Sequence, residues 1–248
     1  MFSPIFAGTV RHRQLILAVA LALAVALSVA RGLSFRLDGT LGAATGLVGL
    51  LAFALGLFAW LGPRPAALLV EPAARAFATA PSASQVYMAA GYAFLAALLF
   101  GTGDLLTPDP FIALPILYLV IVGLHVAAGW RGLSVQLRPE GVCQRDFAGR
   151  LTVPWEALAP GRPSRPRVRA SILTLTYARP ELVRRRGLVP SRRRLRIDNV
   201  HAWFIADAIR HYVDHPQHRA AIGDPAEYQR LWQALAHPPT RLGQGHAF

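Results

Sequence analysis

The chain has 248 residues, 54% of them hydrophobic and 16% charged, with a formal net charge of +13. That balance excludes an ordinary soluble globular protein, and the lone cysteine, Cys143, excludes an intramolecular disulfide, a thiolate metal cluster and a CxxC redox pair. The charge is uneven, a net +2 over residues 1–130 against +11 over residues 131–248; lysine is absent, and the wealth of alanine, arginine, glycine and proline is what codon bias in a high-GC genome produces.

In chain order, four stretches are long and apolar enough to cross a hydrocarbon core that needs about 20 helical residues: 14–31, 40–62, 85–106 and 111–130. They define a transmembrane domain over 1–131. The first, QLILAVALALAVALSVA, follows Arg11 and Arg13 and ends in Ser28-Val29-Ala30, so it fits both a signal anchor and a cleaved signal peptide. Its apolar run exceeds the roughly 7–15 residues of a signal-peptide core, which favours the anchor. With the N-terminus inside, the short inner segments carry Arg11, Arg13, Arg64, Arg75, Arg131, Arg138 and Arg145, against Arg31 and Arg36 outside. The positive-inside rule therefore predicts a multi-pass protein of the cell membrane with both termini cytoplasmic. Trp60, Tyr87 and Trp130 fall near span ends, where amphipathic rings favour the interface. Gly42 and Gly46 form a GxxxG spacing, continued by Gly49 and Gly56, suited to close helix packing within the bundle or at a dimer face. Ionisable groups at membrane depth are nearly absent. His125 and Asp104 lie near span ends, which argues against an ion or proton pathway.

From residue 132 short alternating stretches predict strands: 133–138, 142–146, 151–155, 171–177 and 194–197, with turns at Pro139-Glu140-Gly141 and Phe147-Ala148-Gly149. An amphipathic helix follows over 200–213, with Asp198 or Asn199 as its cap and Pro216 as its stop. The tail from 223 to 248 reads as one short helix, with Tyr228, Leu231, Trp232 and Leu235 on one face, and a flexible end.

The run GLSVQLRPEGVCQRDFAGRLTVPWEAL, Gly132 to Leu158, followed by further strands and a single helix ending in HYVDHPQHRAAIG, resembles the bacterial PH-like domains attached to small membrane proteins. The match rests on the P-E-G turn and on Val153, Trp155 and Leu158 in an apolar-x-W-x-x-aliphatic element, and it covers residues 132–222. The resemblance implies a partly open antiparallel barrel of about seven strands plugged by one helix, with Trp155, Leu158, Trp203, Phe204 and Ile209 in its core. It also implies a binding platform without catalytic residues. The fold expected for the chain is thus four transmembrane helices plus a small α+β, PH-like domain.

Two arginine clusters stand out in that domain. Arg162, Arg165, Arg167 and Arg169 lie in a proline-broken loop, and Arg184, Arg185, Arg186, Arg192, Arg193 and Arg194 surround GLVPS. Basic clusters tethered beside a membrane are drawn to anionic phospholipid headgroups at about 1 kcal/mol per residue. The alternative is a solvated loop enriched by codon usage. Nucleic acid is disfavoured, because neither cluster carries aromatic residues to stack bases. His211 and His215 are one helical turn apart, but a histidine-bearing helix end explains them without a metal. Nucleophile elbows, phosphate loops and paired carboxylates are all missing. The expectation is a non-enzymatic membrane protein, without cofactor or metal, whose cytoplasmic domain contacts lipid, a protein partner or its own copies. A small transporter or channel component with a regulatory domain is the alternative.

Overall fold

A computed structural model describes residues 8–33, 38–100, 113–146, 148–188 and 191–236. The chain forms two compact units. One comprises Met1–Pro63, Pro81–Leu133 and Asp146–Ala148, and the other Arg64–Ala80, Ser134–Arg145 and Gly149–Phe248.

The first unit is helical: α1 (Arg13–Leu33), α2 (Asp38–Leu61), α3 (Ala83–Phe100) and α4 (Ala113–Arg131). Among the described residues, three helices are long and apolar enough to cross a membrane, over Arg13–Leu33, Gly39–Leu61 and Ala83–Phe100, and Ile116–Arg131 is a shorter apolar helix. Asp104 and Arg36 lie outside the described residues. The interior is built from small side chains, Ala20, Ala24, Ala52, Ala90, Ala93 and Ala97 around Phe94. Such residues let helix backbones approach where no hydrophobic drive separates protein from lipid. An added methyl at Gly42 or Gly46 would meet Arg31 or Leu98 at 3.6 and 3.7 Å, which is ordinary contact. The tighter approach of α2 to α3 falls further along the same glycine series, where a methyl at Gly56 would lie 3.1 Å from Met88 Cγ and one at Gly49 3.3 Å from Phe94 Cβ. His125 bonds through Nδ1 to the Ile121 carbonyl of its own helix, 2.8 Å away, with its ring against Tyr92.

Among the described residues the second unit contains eight strands. β1 (Leu69–Glu71) and β2 (Ala76–Ala78) come from the segment between α2 and α3. β3 (Ser134–Arg138), β4 (Gly141–Arg145), β5 (Ala148–Pro154), β6 (Ile172–Thr174), β7 (Arg184–Leu188) and β8 (Arg194–Arg196) follow α4. The main sheet runs β1-β2-β3-β4-β5-β7 and a second, two-stranded sheet pairs β6 with β8. The pairings read out in register are antiparallel, and β2 joins β3 with Phe77 opposite Leu137 and Ala78 opposite Gln136. The β1–β2 hairpin thus completes a sheet whose other strands lie more than fifty residues downstream, so this compact unit extends beyond the 132–222 interval read from the sequence at both ends.

Two C-terminal helices, α5 (Ala202–Asp214) and α6 (Pro225–Ala236), cover the sheet. Trp155, Tyr212, Phe77, Leu137, Leu151, Leu173, Leu195, Ile205 and Ile209 are fully buried, each contributing about 1.5–3 kcal/mol of transfer free energy. Leu231 of α6 has no exposed surface, so this helix belongs to the core. Helix α5 starts later than expected: its cap is His201, without a side-chain cap bond. Asn199 instead donates to Thr79 Oγ1 and the Ala80 carbonyl at 3.0 and 2.7 Å, tying the end of β2 to the approach of α5, and Asp198 pairs with Arg196. Trp203, expected in the core, is 40% exposed; the helix phase that buries Phe204, Ile205, Ala208 and Ile209 turns it outward.

Gly223, between the last two helices, has φ +100, and a methyl there would come within 2.6 Å of Arg75 Cα. Gly223→Ala is expected to cost about 2–3 kcal/mol from backbone strain and displacement of the β1–β2 connection. The measurement is the chemical denaturation midpoint of the purified full chain.

Candidate functional site

The exposed arginines of the sheet unit come from three places in the chain. Strand β7, at one edge of the main sheet, carries Arg184, Arg185 and Arg186, all exposed. Arg192, Arg193 and Arg194 lead into β8 and are exposed as well. Arg194 stands opposite Thr174 while the next residue, Leu195, is fully buried against the core. The strand alternation that buries Leu195 is what turns Arg194 to solvent. Arg167 and Arg169 are exposed on the loop before β6. Among the described residues none of these eight guanidinium groups has an acidic partner within ion-pair distance.

Arg165 behaves differently from its neighbours. Its guanidinium bonds to both carboxylate oxygens of Asp207 on α5, at 2.7–3.1 Å, and lies 5.5 Å from the centre of the Trp203 ring. Trp203 Nε1 donates to the Pro166 carbonyl at 2.7 Å. This set staples the proline-broken loop to the helix, occupies Arg165 and gives the outward-facing tryptophan its partners. The start of the same loop is held by Gly161 N donating to Asp214, and its end by Arg64, which donates to the Ala170 carbonyl at 2.6 Å and Ser171 Oγ at 2.9 Å. Tyr177, whose hydroxyl donates to the Arg192 carbonyl, anchors the other cluster; burial pushes its pKa up to about 12. The free arginines therefore sit on backbone that is fixed from beneath.

Beneath the opposite end of α5, Trp155 donates through Nε1 to the Arg138 carbonyl, and Arg219 caps the helix by donating to the Tyr212 and Val213 carbonyls at 2.7 and 3.1 Å. The two bonds from Arg219 satisfy orphan carbonyls at the helix C-terminus. The histidines there do more than end a helix. His215 Nδ1 is engaged with the His211 carbonyl, at 3.0 Å, while His218 returns on the short helix Pro216–Ala221 to face His211, Nδ1 to Nε2 at 3.0 Å. Burial, together with His215, His218 and Arg230, pushes the His211 imidazole down to about 4, so it is neutral at physiological pH. Glu227, 2% exposed, accepts a bond from Tyr212 Oη at 3.0 Å and pairs with Arg230. Sequence spacing pointed to His211 with His215; the signal for His218 was the proline opening a second short helix.

The fold combines helices long and apolar enough to cross a membrane with an antiparallel sheet unit, contributed by segments between and after them, whose surface is arginine-rich. No family model matches the chain, and no curated protein or solved structure is detectably similar to it.

Proposed function

We propose that the chain is a non-enzymatic, four-span membrane protein whose cytoplasmic sheet domain docks on the anionic inner leaflet through Arg167, Arg169, Arg184–Arg186 and Arg192–Arg194. The observation that carries this reading is a set of eight exposed guanidinium groups, unpaired among the described residues, on a domain joined to apolar helices by three short connections, 62–68, 79–82 and 132–133. Eight arginines acting at about 1 kcal/mol each outweigh the cost of ordering their side chains, because the tether has already removed most translational freedom. The meander of strands closed by helix α5 supports a PH-like platform, to which the chain adds a hairpin at one edge and helix α6.

Sheet pairing supports the four-span topology. With Phe77 opposite Leu137, the four-span reading puts the start of α3 and the end of α4 on one side of the membrane. A chain that crosses once in α3 must cross back before Arg131, and α4 is the apolar helix placed to do so. The end of α2 joins the same sheet, and the arginine count sets that side as cytoplasmic. The helical interior also argues against a transporter. Among its described residues the buried polar groups are Thr9, Arg31, Thr45 and Ser84, and Thr45 returns its hydroxyl to the Leu41 carbonyl.

The test is hydrogen exchange on the full chain in nanodiscs of zwitterionic lipid alone or with about one third anionic lipid, at two salt concentrations. Amides of 184–194 are expected to exchange roughly tenfold more slowly in anionic discs at low salt. Replacing Arg184, Arg185, Arg186, Arg192, Arg193 and Arg194 with glutamine abolishes that difference. Equal exchange in both discs would leave these arginines as solvated surface and turn the search to a protein partner or a second copy.

A further inference from the structure

We propose that His211 Nε2, His218 Nδ1 and a Glu227 carboxylate oxygen form a site for a borderline divalent transition ion of the zinc class, which pins the last helix of the sheet domain to α5. The three residues come from three successive elements: α5, the short helix Pro216–Ala221 and α6. Their candidate ligand atoms lie within 4.8 Å of one another. The facing histidine nitrogens are 3.0 Å apart with ring centroids at 5.1 Å, so nitrogen atoms rather than ring faces make the contact. Two imidazoles bound to zinc at about 2.0–2.1 Å in a tetrahedral arrangement bring their nitrogens to roughly 3.3 Å. Entry of the ion therefore asks for a few tenths of an ångström and a pivot of the half-buried His218 ring, with the shared proton released to solvent.

The donor chemistry suits such an ion. Two neutral imidazoles and one carboxylate match the His₂Glu set that zinc accepts, leaving one position for water. Glu227 already has an outer partner, since Tyr212 Oη donates to its Oε1 and fixes the carboxylate, the usual support for a metal-binding acid. His215 is not part of the set: its Nδ1 is bonded to the His211 carbonyl and its ring lies across that of His211, centroids 4.6 Å apart. Arg230 is the opposing feature. It pairs with Glu227 from a half-exposed position, so it competes with the ion for the carboxylate and must swing outward when the ion binds.

The experiment is a titration of the full chain, purified in detergent, free of any affinity tag and stripped with chelator. Zn²⁺ is followed by calorimetry and Co²⁺ by its visible absorption. One ion per chain is expected, with a Co²⁺ spectrum of low coordination number and a rise in the unfolding midpoint. His218→Gln and Glu227→Gln are each expected to weaken binding at least tenfold, by the ligand they remove. His215→Gln leaves it unchanged, and Arg230→Gln tightens it severalfold by removing a competing cation. Because Glu227 is buried, His218→Gln is the decisive variant, its fold checked by its unfolding midpoint without metal. Absence of saturable one-to-one binding, or binding that survives His218→Gln and is lost with His215→Gln, overturns the proposal.

Discussion

Phe77→Ala is expected to destabilise the sheet domain by about 3–5 kcal/mol, although this residue lies between two apolar helices and far from the rest of the domain in sequence. Its side chain has no exposed surface, its backbone pairs with Leu137, and its ring centroid is 5.4 Å from that of Tyr228 on α6. Removing the ring opens a cavity where β2, β3 and α6 meet, a loss comparable with the whole stability of a small domain. Leu69→Ala on the outer strand β1 provides the contrast, since Leu69 is 48% exposed and should cost under 1 kcal/mol. Trypsin reads the difference, because the arginine-rich domain is cut rapidly once it opens. Equal resistance of Phe77→Ala and wild type would mean that the hairpin does not contribute to the fold.

The same pairing makes residues 132–248 an incomplete domain. Without β1 and β2, the β3 edge is left with unpaired backbone groups, and the Leu68 amide, the Phe77 ring and Thr79 are lost as partners of Tyr228 and Asn199. An exposed apolar strand edge of this kind favours aggregation. Antiparallel pairing of Ala78 with Gln136, extended by the bond from Thr79 N to the Val135 carbonyl, sets Ala80 beside Ser134. A fusion of 64–80 to 134–236 through a few glycine and serine residues is therefore expected to fold where 132–248 does not.

What could be read from the sequence was what local periodicity encodes. LSVQLR alternates, and the structure buries Val135 and Leu137 on one side of β3. The apolar stripe of α5 likewise announced Phe204, Ile205, Ala208 and Ile209. The AFA strand could not be read, because its partner is contributed by residues beyond two further helices and three residues are too few to show a period. Strand β4 also lacks alternation: Gln144 is buried because its side-chain carbonyl accepts the Arg196 amide, a need visible only once both sheets are formed. For the same reason Asn199 looked like a helix cap, when it is used to hold Thr79 and Ala80. The exposed arginines were legible as clusters, whereas the capture of Arg165 by Asp207 depended on where the loop folds back onto α5.

Arg31 was counted as an outer loop charge, yet it is 7% exposed in the last turn of α1. Its Nη1 donates to the carbonyls of Ala97 and Leu98 at 3.2 and 2.9 Å, near the end of α3. Those carbonyls lie in the last described turn of α3, where the helix dipole favours a cation. Gly42 on α2 makes room, since an added methyl would sit 3.6 Å from the guanidinium. Arg31→Ala removes both bonds and leaves a gap in an apolar surrounding, where a hydrogen bond from a charged group contributes about 1.5–3 kcal/mol. The expected loss is about 2–4 kcal/mol, read as a lower unfolding midpoint of the full chain in detergent. Arg31→Lys keeps the charge but reaches one carbonyl at a time, so it should lose about half as much. Gly42→Leu should approach the alanine variant by displacing the guanidinium, while Leu15→Ala, at a site 63% exposed, should change little. An Arg31→Ala protein as stable as wild type would show that the guanidinium merely rests against α3, and would return Arg31 to the loop charges that set sidedness.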